Sequence, residues 1–143
     1  MKFFFDNCVS SNLTAAMRQL NDPVHEIVHL VDRFPPDALD VDWLPKLAPE
    51  ADLVLISADP GIVSDRKERE IWRATGLTSF FLSRGYSEQP IWTQVIEVVT
   101  WWPEIVRTAK GATRGSGYLL PLRGYKKGPK SIYTPRAVVR HAG

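Results

Sequence analysis

Two aspartates stand where apolar runs break. Asp6 closes Lys2-Phe3-Phe4-Phe5, and Asp59 follows Leu53-Val54-Leu55-Ile56 across Ser57-Ala58. If both runs are parallel strands, both carboxylates emerge at one sheet edge, the edge at which open α/β sheets bind ligands. Asp40 and Asp42 introduce the helix that leads into the second run, where a helix dipole favours carboxylates and can aim them at the same edge. Carboxylates crowded in low dielectric repel one another, and a divalent cation relieves that cost. An all-oxygen shell suits Mg²⁺ or Mn²⁺. A cation so held can activate water and stabilise charge on a phosphodiester, so phosphodiester hydrolysis is the chemistry these residues point to. Each aspartate alone could equally cap a helix or a turn.

The elements that would position these groups can be read from the same chain. Ser10 or Ser11 can cap a helix through Leu20, with Leu13, Ala16, Met17 and Leu20 along one face and Asn21-Asp22-Pro23 as its stop. Glu26 to Val31 reads as a second strand, closed by the Pro35-Pro36 turn. Asp37 to Asp42 leads into a short helix carrying Trp43, Leu44 and Leu47, ended near Pro49. After the Leu53 to Ile56 strand, a charged helix runs through Arg73 with Gly76 as its C-terminal cap, and Ser79 to Leu82 reads as a fourth strand. From Pro90 to about Ala109 apolar residues recur at helical spacing, with Pro103 expected to kink or divide the segment. Alternating strands and helices predict an α/β fold, a mainly parallel sheet covered on both faces.

Length and charge set the outer bounds. The 143 residues fit one domain of residues 1–109 followed by a tail of residues 110–143, glycine-rich, basic and without periodicity. With 44% hydrophobic and 24% charged residues the chain reads as soluble and globular. No apolar run is long enough to cross a bilayer and the opening residues do not resemble a signal peptide, so a cytoplasmic protein without membrane attachment is expected. One cysteine, Cys8, excludes an internal disulfide. The net charge of +2 hides an asymmetry: residues 1–106 hold 9 basic and 16 acidic side chains, net −7, whereas residues 107–143 hold 9 basic and no acidic ones, net +9. Such a basic segment attracts polyanions or acidic partners.

Taken in order, Phe3-Phe4-Phe5-Asp6-Asn7-Cys8, Val28-His29-Leu30-Val31-Asp32-Arg33-Phe34-Pro35-Pro36-Asp37, Asp40-Val41-Asp42-Trp43, Ile56-Ser57-Ala58-Asp59 and Phe80-Phe81-Leu82 resemble the PIN-like domain of VapC-type toxins. The resemblance covers roughly residues 1–109. It implies a three-layer Rossmann-like fold, RNA cleavage dependent on Mg²⁺ or Mn²⁺, and a cognate antitoxin. By position it makes Asp6, Asp40 and Asp59 the catalytic, metal-binding acids, with Asp42 a further metal ligand. Asn7, Ser57 and Asp32 are supporting residues, Ser57 holding the hydroxyl place of a Ser/Thr-x-Asp motif, and Asp42 and Asp32 are the two candidates for the separate mid-chain acid of the four-acid PIN site. One departure stands out. Many PIN domains carry another acid two residues after the strand-end aspartate, and here that place is Gly61.

Other residues weigh less. Arg66 and Lys67 follow Asp59 closely and could contact phosphate, as could Arg114, Arg123, Lys126 and Lys127, although the run Arg66-Lys67-Glu68-Arg69-Glu70 alternates in sign like an exposed helix face. Tyr118, Tyr125 and Tyr133 interleave with the tail's cations, a pattern suited to single-stranded RNA or to a partner on which the tail folds. Trp92, Trp101 and Trp102 share the apolar stripe of the last helix and read as core or as a homodimer interface. His25 and His29 lack a third zinc ligand, and Gly115-Ser116-Gly117 lacks the rest of a phosphate loop. Two readings compete with the nuclease: a non-catalytic PIN-like module that binds RNA or protein, and a phosphoryl-accepting α/β protein using Asp6 or Asp59.

Overall fold

Three consecutive phenylalanines cannot share one face of a strand, because side chains alternate across it. The computed structural model, which describes residues 1–59 and 61–136, places β1 (Lys2–Phe5) inside the sheet, so that both faces are covered. Phe3 and Phe5 enter one core and Phe4 the other, all three fully buried. Removing each ring from water contributes on the order of 2 kcal/mol.

Among the described residues the sheet has six strands in the order β2-β1-β3-β4-β5-β6. β2 (Glu26–His29), β3 (Leu53–Ser57), β4 (Thr78–Leu82) and β5 (Gly117–Leu120) run parallel to β1, and only β6 (Lys130–Tyr133) is antiparallel. In register, Phe5 lies between His29 of β2 and Ile56 of β3. α1 (Ser11–Asn21) and α5 (Ile91–Gly111) cover one face through Leu13, Met17, Val98, Trp101 and Ile105. α2 (Asp40–Leu47) and α4 (Arg66–Arg73) cover the other through Trp43, Leu44, Leu47 and Trp72. The short α3 (Gly61–Ser64) joins β3 to α4. This is a three-layer, Rossmann-like α/β architecture.

Local signals explain most of the boundaries. Ser10 caps α1, its Oγ accepting from the amides of Asn12 and Leu13 at 3.2 and 3.4 Å. β2 ends at His29, earlier than the apolar run suggests, because Leu30–Asp32 turn into a 3-10 helix. There the His29 ring accepts from the Val31 amide and Asp32 accepts from the His29 amide, a reciprocal cap. Pro103 does not divide α5, which continues from Ile91 to Gly111. Trp101 and Ile105 on either side of it are buried, and that packing offsets the hydrogen bond proline cannot make.

The largest departure from expectation lies after residue 109. Where the sequence reads as an aperiodic tail, β5 and β6 extend the sheet beyond β4, and Leu120 and Tyr133 are buried in its two cores. Strands of four residues, separated by a segment rich in glycine and proline, leave no periodicity to detect, yet their backbone groups extend the ladder. Among the described residues, no helix is long and apolar enough to cross a membrane.

Candidate metal centre

The chain passes from β1 to β2 on one side and returns to β3 on the other, so the strand order reverses between β1 and β3. At such a switch point adjacent loops diverge and leave a crevice beyond the carboxyl ends of the strands. Asp6 follows β1 there, its amide donating to the Ile56 carbonyl of β3 at 3.0 Å. Asp59 follows β3 by two residues, and Asp40 opens α2 on the covering layer. The three carboxylates share a cleft of about 210 Å³, whose walls include Asn7, Pro36 and Trp43.

Each acid is held by named donors. Asp6 is 4% exposed and accepts from the Cys8 amide at 2.8 Å and from the Ser57 hydroxyl. Burial pushes its carboxyl up to about 7, against the two hydrogen bonds and with help from the charges of Asp40 and Asp59. Ser57 also accepts from the Asp59 amide at 3.1 Å, so one buried hydroxyl links two acids. Asp59 in turn accepts from the Gly61 amide at 2.9 Å. Asp40 is gripped by two indoles, Trp43 Nε1 on Oδ1 at 3.1 Å and Trp72 Nε1 on Oδ2 at 3.3 Å. Desolvation raises the Asp40 carboxyl, the Trp72 bond opposes that, and the Asp59 charge reinforces it.

A fourth acid arrives from an unexpected place. Glu68, on the first turn of α4, brings its carboxylate against Asp59, and carboxylate oxygens of Asp40, Asp59 and Glu68 all lie within 4.8 Å of one another. Hydrogen bonding to Asp59, then desolvation and the charges of Asp59, Asp40 and Asp65, push Glu68 up to about 7. Gly61 makes room for it. A Cβ at Gly61 would stand 2.2 Å from a Glu68 oxygen and 3.2 Å from Asp59 Oδ1. The position that reads in the sequence as a missing acid is thus the space into which an acid from α4 reaches.

These residues fit a hard divalent cation. The donors are all oxygen, and the crowding beside Asp59 that raises Glu68 is relieved when a cation takes the place of the Glu68 proton. A family model described as a PIN-like domain matches residues 1–84. The protein belongs to the PIN-like domain family. The match runs from β1 through β4, so the PIN-like domain's matched segment contains Asp6, Asp40, Asp59 and Glu68. Comparison with curated proteins and with solved structures returns no significant match.

The PIN-like domain does not gather every residue singled out in the sequence. Asp42 is exposed and faces a separate cleft with Phe34 and Lys46, because two residues along a helix turn the side chain to another face. Asp32 caps the turn after β2 and pairs with Arg18 at 2.9 Å, which occupies its carboxylate. Neither belongs to the acidic group. Asn7 lines the cleft and donates to the Pro36 carbonyl at 2.8 Å, tying two of its walls together. Arg66 and Lys67 are exposed at the start of α4, directly before Glu68 and within the same turn. Arg114 precedes β5 and so lies at the opposite, amino edge of the sheet, where it lines a larger cleft of about 490 Å³ with Lys110 and Met1. Parallel pairing carries Arg123, Lys126 and Lys127, beyond β5, back to the carboxyl edge.

Cys8 is exposed at the rim of the acidic cleft. Partial desolvation and the charges of Asp6 and Asp59 push its thiol up to about 12, so it offers no thiolate at neutral pH. His25 bonds the N-terminal amine at 3.0 Å and His29 bonds the Val9 carbonyl at 2.7 Å, which engages both rings away from the acids.

Proposed function

We propose that this protein is a metal-dependent endoribonuclease, the toxin of a type II toxin–antitoxin pair of the VapC type. One observation carries the reading: four acids from four separate elements meet at the switch point of a PIN-like sheet. Asp40, Asp59 and Glu68 would hold Mg²⁺ or Mn²⁺, with Asp6 and Ser57 behind them. When bound, such an ion makes coordinated water more acidic and offsets negative charge on a phosphoryl group.

The chain's own residues supply position. Trp43 and Trp72 fix both oxygens of Asp40, so its carboxylate cannot swing out of the cleft. The Ser57 hydroxyl locks Asp6 to the strand that carries Asp59. Arg66 and Lys67, exposed beside Glu68 at the start of α4, are the cations we assign to the phosphates of a chain entering the cleft, where such contacts would set the register of a nucleic acid backbone. Hydrolysis adds water to phosphorus and breaks one phosphorus–oxygen ester bond, the departing oxygen leaving with a proton. Gly61, the position that argues for a decayed and merely binding site, lies under the Glu68 carboxylate and so loses that force.

A toxin needs a silencing partner. On α5, Trp92, Ile96 and Val99 are 76%, 62% and 43% exposed and follow one another at helical spacing. That apolar stripe supports a protein contact there, with the antitoxin or with a second copy in a homodimer, in the cytoplasm. The nuclease reading is tested by incubating single-stranded RNA with wild type and with Asp59→Asn, each with Mn²⁺ or with EDTA. We expect cleavage by wild type with Mn²⁺ only, and a loss of about 100-fold or more in the variant. Equal cleavage by both proteins, or none by wild type, would remove the reading.

A further inference from the structure

The −7 charge of residues 1–106 should repel the polyanion that the acidic cleft is proposed to cut. Something must counter that repulsion, and topology locates it. β5 runs parallel to β4 and β6 runs antiparallel to β5, so the segment between them lies at the carboxyl edge, the same edge as Asp6 and Asp59. It carries Arg123, Lys126 and Lys127 and leads to Lys130 at the start of β6. Arg84, two residues beyond β4, joins them at that edge. All five side chains are exposed, and among the described residues none of the five forms a salt bridge.

The segment is built rather than loose. The Leu122 amide donates to Ser83 Oγ at 2.8 Å, which ties the segment to the end of β4. Glu97, 2% exposed on α5, accepts from the Arg123 amide at 3.3 Å and from the Tyr125 hydroxyl. The Tyr125 ring packs on Trp101 with centroids 5.2 Å apart. Arg123 itself adopts φ 56°, a left-handed conformation that glycine would take more easily. A buried carboxylate therefore holds an arginine in a strained turn with its guanidinium in solvent. Strands lie about 4.8 Å apart, so the chain beyond β5 leaves the sheet roughly 10 Å from the residues that follow β3, and Arg84, beyond β4, about half as far. Between them lies a groove of about 210 Å³ lined by Val63, Ser64, Leu82, Ser83, Arg84 and Leu119.

We infer that Arg84, Arg123, Lys126, Lys127 and Lys130 form a docking ridge for the phosphates of a single RNA strand, which crosses the Val63–Leu119 groove into the acidic cleft. The inference rests on the nuclease reading for its choice of polyanion, and it assigns the part of the chain outside the PIN-like match a task in that reaction. The ridge supplies the sequence-independent attraction on which single-strand binding depends, and it falls steeply with salt.

The test separates the ridge from the hydrolysis. Anisotropy of a fluorescein-labelled single-stranded RNA is measured in EDTA, over a range of salt, for wild type and for the triple variant Arg123→Gln, Lys126→Gln, Lys127→Gln. A control, Arg107→Gln, Lys110→Gln, Arg114→Gln, removes the same charge toward the other edge, and thermal melts check that all three proteins fold. We expect the ridge variant to lose about tenfold or more in affinity and to flatten the log–log salt slope by about 2, while the control shifts affinity by about threefold at most. Equal losses in the two variants, or an unaffected ridge variant, would overturn the ridge, and the second result would leave those cations to an acidic protein surface. Ridge-dependent binding without Mn²⁺-dependent cleavage would uphold the ridge and remove the nuclease reading instead.

Discussion

Asp6 is an ionisable group enclosed by the sheet, and its carboxyl keeps its proton up to about 7 instead of the usual 3.8. Between those values the unfolded chain has lost a proton that the folded chain retains, so stability falls as pH rises through the window and is fully present only below it. The difference corresponds to a contribution on the order of 4 kcal/mol as an upper bound. We predict that the metal-free protein melts at progressively lower temperature from about pH 4 to about pH 7, and that Asp6→Asn flattens the dependence and melts higher at neutral pH. An unchanged slope in the variant would mean that Asp6 ionises freely. Asp6 and Asp59 were legible from the chain because each interrupts an apolar run. Glu68 was not, because it sits in an alternating run of charges, and that pattern describes an exposed face well for every neighbour except itself. The one available signal was Trp72, four residues on, which puts Glu68 on the face that packs inward.

α4 shows how an element can serve a site while its composition hides the fact. Asp65 caps it, accepting from the Lys67 amide at 2.9 Å, and Trp72 is the one side chain it buries fully. That indole meets the Trp43 ring edge-on at 5.5 Å and still reaches Asp40 with its N–H. Packing and orientation can therefore be separated. Trp72→Phe keeps most of the ring contact but removes the donor, and it should lower Mn²⁺-dependent cleavage about tenfold with a small loss of melting temperature. Cleavage at the wild-type rate would show that Asp40 does not depend on its second indole. Caps and apolar spacing made α1, α2 and the four strands β1 to β4 readable in advance, whereas β5, also parallel, gave no such signal. Pro103 misled, since burial of Trp101 and Ile105 outweighs one missing hydrogen bond.

At the scale of the whole molecule, the sheet continues past the point where periodicity fails. Residues 110–136 are a basic tail only in composition. They contribute two strands, cover the edge of β4, and place Leu120 and Tyr133 in the two cores. Truncation after Gly111 should therefore abolish the cooperative thermal transition, and a truncated chain that melts like the full one would contradict this placement. The sequence could show the charge asymmetry but not which edge of the sheet receives it, since that depends on strand pairing between distant residues. Parallel pairing sends Arg114 to one edge and Arg123 to the other. The most direct test is calorimetric titration of Mn²⁺ into wild type and Glu68→Gln, above the pH of about 7 at which Glu68 gives up its proton. The four-acid centre predicts saturable binding by wild type and affinity weakened by roughly tenfold or more in the variant. Identical isotherms for the two proteins, or no binding by wild type, would contradict it.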